Sequence, residues 1–164
     1  MKHRAFIGLG SNLVHPAAQI LQAMQALDKL AGTRVLARSS LYRSAPLGYL
    51  EQPDFINAVV MIETSLLPLA LLQALLALEQ DSGRTREFQN APRTLDLDVL
   101  LYDDLQHHEH GLTVPHPHMH KRAFVLLPLL EIAPGCVIPG VGSAVVAMQL
   151  CADQQLDKLT HDAR

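Results

Sequence analysis

A chain of 164 residues, 49% apolar and 18% charged, has the length and composition of one globular domain with a sizeable core. A net charge of -3 argues against nucleic-acid binding through bulk electrostatics, so any phosphate ligand must be held by locally clustered cations. Cys136 and Cys151 form no C-x-x-C pair and read as reduced thiols, which argues against a zinc or redox motif. The basic start, Met1-Lys2-His3-Arg4, leads into an apolar run that breaks at Ser11-Asn12, too short for a secretory leader. The richest apolar stretch, residues 66–78, falls well short of the roughly 20 residues a membrane span needs. A single cytoplasmic domain over residues 1–164 is the expectation, and a monomer.

Residues 5–9 are short and apolar and read as a buried first strand. Gly8-Leu9-Gly10-Ser11-Asn12-Leu13 begins like a dinucleotide fingerprint but has Leu13 where the third glycine belongs, so Gly8 and Gly10 are expected in a strand-to-helix turn. Pro16 suits a first helical turn; Ile20, Leu21, Met24, Leu27 and Leu30 follow at helical spacing, and Gly32 ends the helix. Residues 33–42 form a predicted second strand, and residues 44–53 a loop punctuated by Pro46, Gly48 and Pro53. Residues 55–63 are a third strand, with Phe55, Asn57, Val59 and Met61 on one face and Ile56, Ala58, Val60 and Ile62 on the other. Pro68 opens a second helix carrying Leu71, Leu72, Leu75, Leu76 and Leu78; it runs to about Glu79-Gln80, with Gly83 marking its end. Residues 84–93 are polar, show no apolar period and read as a mobile loop; residues 95–102 are a fourth strand.

Strand–helix–strand–strand–helix–strand is the split βαβ order. It predicts an α+β fold: a ferredoxin-like βαββαβ core whose four-stranded antiparallel sheet has both helices on one face. Additional C-terminal helices at residues 122–132 and 145–150 cover the other face, giving three layers, α-β-α.

Asp96 and Asp98 stand two apart on the fourth strand, so their carboxylates project to the same side. In an apolar setting such a pair repels and suffers desolvation unless a cation joins it, and Mg2+ with substrate phosphates is the natural candidate. The bland alternative is a strand end with two solvated aspartates; the flanking Leu95, Leu97, Val99 and Leu101 and the nearby arginines argue against it. No G-x-x-x-x-G-K-[ST] occurs, and no lysine sits in a glycine-rich loop, so Arg84, Arg86, Arg93 and Arg122 are the candidates for phosphate. His107, His108, His110, His118 and His120 match no zinc spacing and read as a polar loop with incidental histidines.

Four blocks in order, Ile7-Gly8-Leu9-Gly10-Ser11-Asn12, Ser44-Ala45-Pro46-Leu47-Gly48 with Gln52 to Ala58, Pro92-Arg93-Thr94-Leu95-Asp96-Leu97-Asp98, and Leu112-Thr113-Val114-Pro115-His116, resemble the 6-hydroxymethyl-7,8-dihydropterin pyrophosphokinase family. The resemblance implies transfer of pyrophosphate from ATP to the hydroxymethyl pterin, releasing AMP, with two Mg2+ ions held by Asp96 and Asp98. It implies catalytic roles for Arg84 and Arg93, and nucleotide contacts from Glu79, Arg84, Arg86, Arg93, Thr113, His116 and Arg122. It places Asn57 on the pterin edge, Phe55 and Phe124 on the ring faces, and Ser44, Pro46, Leu47 and Gly48 around the rest. Apart from the resemblance, Glu79 reads as a surface carboxylate. A nucleotidyl transferase with the same D-x-D pair, and a binding module without chemistry, are the competing readings.

Overall fold

The computed structural model describes residues 1–13, 15–46, 51–82 and 95–159. The expected mobile loop at 84–93 lies outside them, as do Gly83, Leu47 and Gly48. Strand β1 (His3–Ser11) is followed by helix α1 (Pro16–Asp28), strands β2 (Thr33–Arg38), β3 (Tyr42–Ser44) and β4 (Phe55–Thr64), helix α2 (Pro68–Asp81) and strand β5 (Asp96–Tyr102). The hairpin β6 (His107–Glu109) and β7 (Leu112–Val114), a 3-10 turn (Met119–Lys121) and helix α3 (Ala123–Ile132) come next. A small hairpin of β8 (Val137–Ile138) and β9 (Gly142–Ser143), helix α4 (Ala144–Gln149) and strand β10 (Asp157–Lys158) complete the order.

Strands β2, β4, β1 and β5 lie side by side with every neighbouring pair antiparallel, which is the split βαβ arrangement. The sheet is wider than the four strands expected, because among the described residues β3 and β10 extend it to six. The predicted second strand is also not continuous: β2 and β3 are two pieces on the same edge of β4. Val35 faces Ile62, the register slips one residue before Ala37 faces Met61, and slips again before Tyr42 faces Asn57. At the second slip Ser39 serves Val59 twice. Its N–H donates to the Val59 carbonyl, and its hydroxyl accepts the Val59 N–H, both at 2.9 Å.

Alternation on β4 sorts the core into two layers. Ile56, Ala58, Val60 and Ile62 pack with Ile20, Met24 and Leu27 of α1 and Leu71 and Leu75 of α2. Val59, on the opposite face, packs with Met119, Leu126 and Leu129 and with Ala144 and Ala147 of α4. The α-β-α layering follows from this two-residue period meeting helices on both faces.

Two expectations near the sheet change. Gly8 and Gly10 are not in a turn; they lie within β1, which runs on to Ser11. The histidine-rich segment is not a plain loop, since His107 and His108 pair with Val114 and Thr113 across the β6–β7 hairpin. His110 and Gly111, both at positive φ (54° and 79°), make the two-residue turn this hairpin needs. Among the described residues, no helix is long and apolar enough to cross a membrane.

Candidate active site

The register of β1 with its two neighbours lays out the site. Gly10 faces Asn57 of β4 on one side and Asp96 of β5 on the other, while Gly8 faces Val59 and Asp98. Asp96, Asp98 and Asn57 therefore share the face on which α3 packs, separated by a strip without side chains. Beyond Asp98, a register shift makes Leu100 the extra residue of β5, and both Leu100 and Leu101 enter the α3 layer. A cleft of about 350 Å³ opens over this strip. Its walls include Ser44, Phe55, Asn57, Glu79, Asp96, Asp98, His116, Arg122 and Phe124, so nine of the side chains singled out in the sequence come together.

Each is held by an identifiable local cause. Asn57 is buried, and its amide nitrogen donates to Ser44 Oγ at 2.7 Å, so β3 fixes the amide on β4. Phe124 lies in the first turn of α3, and the Arg122 guanidinium just before that helix stands 5.5 Å from the centre of its ring. Pro128, inside α3, brings no N–H to the Phe124 carbonyl one turn back. His116 follows the β6–β7 hairpin, and its N–H donates to the Leu100 carbonyl at 2.9 Å. Its ring Nδ1 accepts the His118 N–H at 3.2 Å, which leaves the proton of the neutral imidazole on Nε2. Burial first, then the nearby Arg122 and His118 charges, lower the His116 pKa to about 4, with Asp96 acting in the opposite direction.

Glu79 corrects the sequence reading. It is not a surface carboxylate: only 2% of it is exposed, and its Oε2 accepts the Leu97 N–H at 2.6 Å. Strand β5 is at the sheet edge, so its outward N–H groups lack a strand partner. The end of α2 supplies an acceptor between the two aspartates instead.

Some expected residues are not on the cleft walls. Thr113 is on β7 with its hydroxyl 2.5 Å from His108 Nδ1, and it does not line the cleft; Pro46 is buried, and its neighbour Ala45 takes the wall position. Arg84, Arg86, Arg93, Leu47 and Gly48 are outside the described residues. Conversely, the sequence reading missed Gly8, Gly10, Leu72 and Leu76 as lining residues. Just past β1, and not on the cleft wall, Asn12 is buried, and its amide donates to Gln52 Oε1 at 2.7 Å and to the Pro53 carbonyl at 3.0 Å. The available signal was the small-residue strip two apart opposite D-x-D, which requires the strand pairing to be known.

The ferredoxin-like α+β sheet thus sets paired carboxylates across a bare strip from a buried amide and two aromatic rings, an arrangement suited to group transfer between two small molecules. The profile of the 7,8-dihydro-6-hydroxymethylpterin-pyrophosphokinase (HPPK) family matches residues 6–134, and the chain belongs to this family. A 2-amino-4-hydroxy-6-hydroxymethyldihydropteridine pyrophosphokinase of Haemophilus influenzae is 44% identical over 155 residues, covering 94% of this chain and 97% of the relative. The protein of the same name from Pseudomonas aeruginosa is 43% identical, covering 97% and 98%. A crystal structure of wild-type Plasmodium falciparum HPPK-DHPS with STZ-DHP shares the fold with a TM-score of 0.73 at 14% identity; the match covers 92% of this chain and 43% of that longer one.

Proposed function

We propose that the chain is a single, monomeric, cytoplasmic pyrophosphokinase domain that transfers pyrophosphate from ATP to 6-hydroxymethyl-7,8-dihydropterin in folate synthesis. The observation that carries this reading is the cleft itself, where the amide of Asn57 and the carboxylates of Asp96 and Asp98 are one strand apart. Asn57, Ser44 and Ala45 meet the polar edge of the ring, and Phe55 and Phe124 its faces; Leu47 and Gly48 add further contacts to the pterin. A fused heterocycle needs this combination of a fixed amide and aromatic walls.

The donor set suits Mg2+, because two carboxylates open over glycines that leave room for water and phosphate oxygens. Asp96 and Asp98 would hold two such ions, whose charge would neutralise the triphosphate. His116, donating from Nε2, and Arg122 meet the nucleotide phosphates, and Arg84, Arg86 and Arg93 add guanidinium groups to them. Glu79 serves the same end by holding the edge of β5. The hydroxymethyl oxygen forms a bond to the β-phosphorus, the bond from that phosphorus to the oxygen bridging to the α-phosphorus breaks, AMP leaves with that oxygen, and the alcohol proton passes to water. Positioning and charge stabilisation carry such a transfer.

Incubation with ATP, Mg2+ and the hydroxymethyl pterin, followed by chromatography, tests the proposal. AMP and the pterin diphosphate in equal amounts are expected. Release of inorganic pyrophosphate would instead identify a nucleotidyl transferase.

A further inference from the structure

We infer that Gly10 is a specificity-determining position: its missing side chain keeps open the passage from the ring-binding amide of Asn57 to the carboxylate of Asp96. The inference rests on the proposed pyrophosphate transfer and adds to it the reason why only a ligand with a short, slender arm can react. Gly10 faces both Asn57 and Asp96 across the sheet. Neighbouring strands are about 4.8 Å apart, so these two residues stand roughly 10 Å apart with Gly10 midway. A ring held at Asn57 must extend its reacting oxygen over Gly10 to reach phosphates gathered at Asp96.

A glycine within a strand weakens it and calls for a reason, either packing or the close approach of a ligand. The two glycines of β1 differ on this point. A Cβ at Gly8 would lie 3.3 Å from Leu100 Cδ2, so the Leu100 side chain would have to yield by a few tenths of an ångström, and packing bears on Gly8. A Cβ at Gly10 would lie 3.5 Å from Asn57 Oδ1 and 4.0 Å from Phe55 Cδ1, which are ordinary contacts, and Gly10 is not at positive φ. Among the described residues, nothing in the packing or backbone demands glycine there, yet Gly10 lines the cleft. The space is kept for the arm of the substrate.

The test is Gly10→Ala, with Gly10→Val as the larger step. Alanine should leave the melting temperature no lower than that of the parent protein, because it fits the backbone and restricts the unfolded chain. It should lower kcat/KM for the hydroxymethyl pterin by roughly 100-fold through misplacement of the reacting oxygen, and valine should lower it further. Calorimetric affinities for a non-hydrolysable ATP analogue with Mg2+, and for a dihydropterin ring lacking the arm, should match the parent. An unchanged kcat/KM, or an equal loss of affinity for the armless ring, overturns the role of Gly10. A parent protein that forms no AMP from ATP and the pterin overturns the transfer reading itself, and Gly10's role with it.

Discussion

Asp96 and Asp98 owe their pairing to a two-residue spacing on a strand, and face glycines on the neighbouring strand. Replacing either by alanine removes a carboxylate from a half-buried edge position without opening the core, so circular dichroism should remain native while turnover falls by roughly 1,000-fold. Near-normal turnover in both variants would remove the aspartates from the chemistry. Asn57→Ala should weaken pterin binding by about 1–3 kcal/mol, with little effect on nucleotide affinity, because the polar edge of the ligand loses its partner. His116 gives a pH signature. Its folded pKa of about 4 is below the 6.5 of an ordinary imidazole, chiefly through burial. As pH falls, the unfolded chain takes up this proton first, so the contribution of neutral His116 is complete above about 6.5 and is lost as pH drops toward 4. An NMR titration of the free protein should find the His116 ring neutral at pH 6; half-protonation near 6.5 would contradict the burial argument.

At the level of elements, two side chains repair what the sheet leaves open. Ser39 supplies an acceptor where the β2–β3 edge slips against β4, and Glu79 supplies one to the outer edge of β5. Removing either acceptor strands a buried N–H. Ser39→Ala and Glu79→Ala should therefore each cost about 1–3 kcal/mol in urea unfolding. Glu79→Gln, which keeps an acceptor oxygen, should recover most of the loss; if glutamine is as damaging as alanine, charge rather than the strand-edge bond explains Glu79.

Across the whole molecule, Glu131 joins the α3 layer to the sheet. It accepts from the Ser40 N–H at 2.9 Å and from the Ser40 and Tyr42 hydroxyls at 2.7 Å, with Lys158 Nζ at 3.8 Å. Burial works against its charge, but these hydrogen bonds and the lysine outweigh burial and hold its carboxyl below the ordinary value of 4.5. The same contact, added to burial, pushes the Tyr42 phenol upward. On acidification the unfolded chain protonates this carboxylate before the folded one does. The stability it contributes is present above about 4.5 and is lost below. Glu131→Gln should thus lower stability at pH 7 while making the remaining stability fall less steeply below pH 4.5, as followed by acid unfolding of both proteins. The tie joins α3, which carries Phe124, to β3, which carries Ser44.

Local pattern was sufficient for much of this protein. The alternation of β4, the leucine spacing of α2 and the D-x-D step of β5 are periodicities of the chain itself, and they set element type, the three layers and the common face of Asn57 with its apolar neighbours. What needed the tertiary structure was everything decided by pairing between distant segments. The breaks between β2 and β3 follow from register against β4, which no local window contains. Helix periodicity sets Glu79 on the stripe of Leu71 and Leu75, but its charge argues for solvent, and the pattern cannot reveal that an edge strand offers it an N–H. Gly8 and Gly10 look like turn residues until β1 is set between β4 and β5, and only then do both prove to line the cleft, Gly8 closely packed by Leu100 and Gly10 between Asn57 and Asp96. Side-chain direction within an element depends on neighbours in sequence, whereas the space in front of a residue depends on chain brought there from far away.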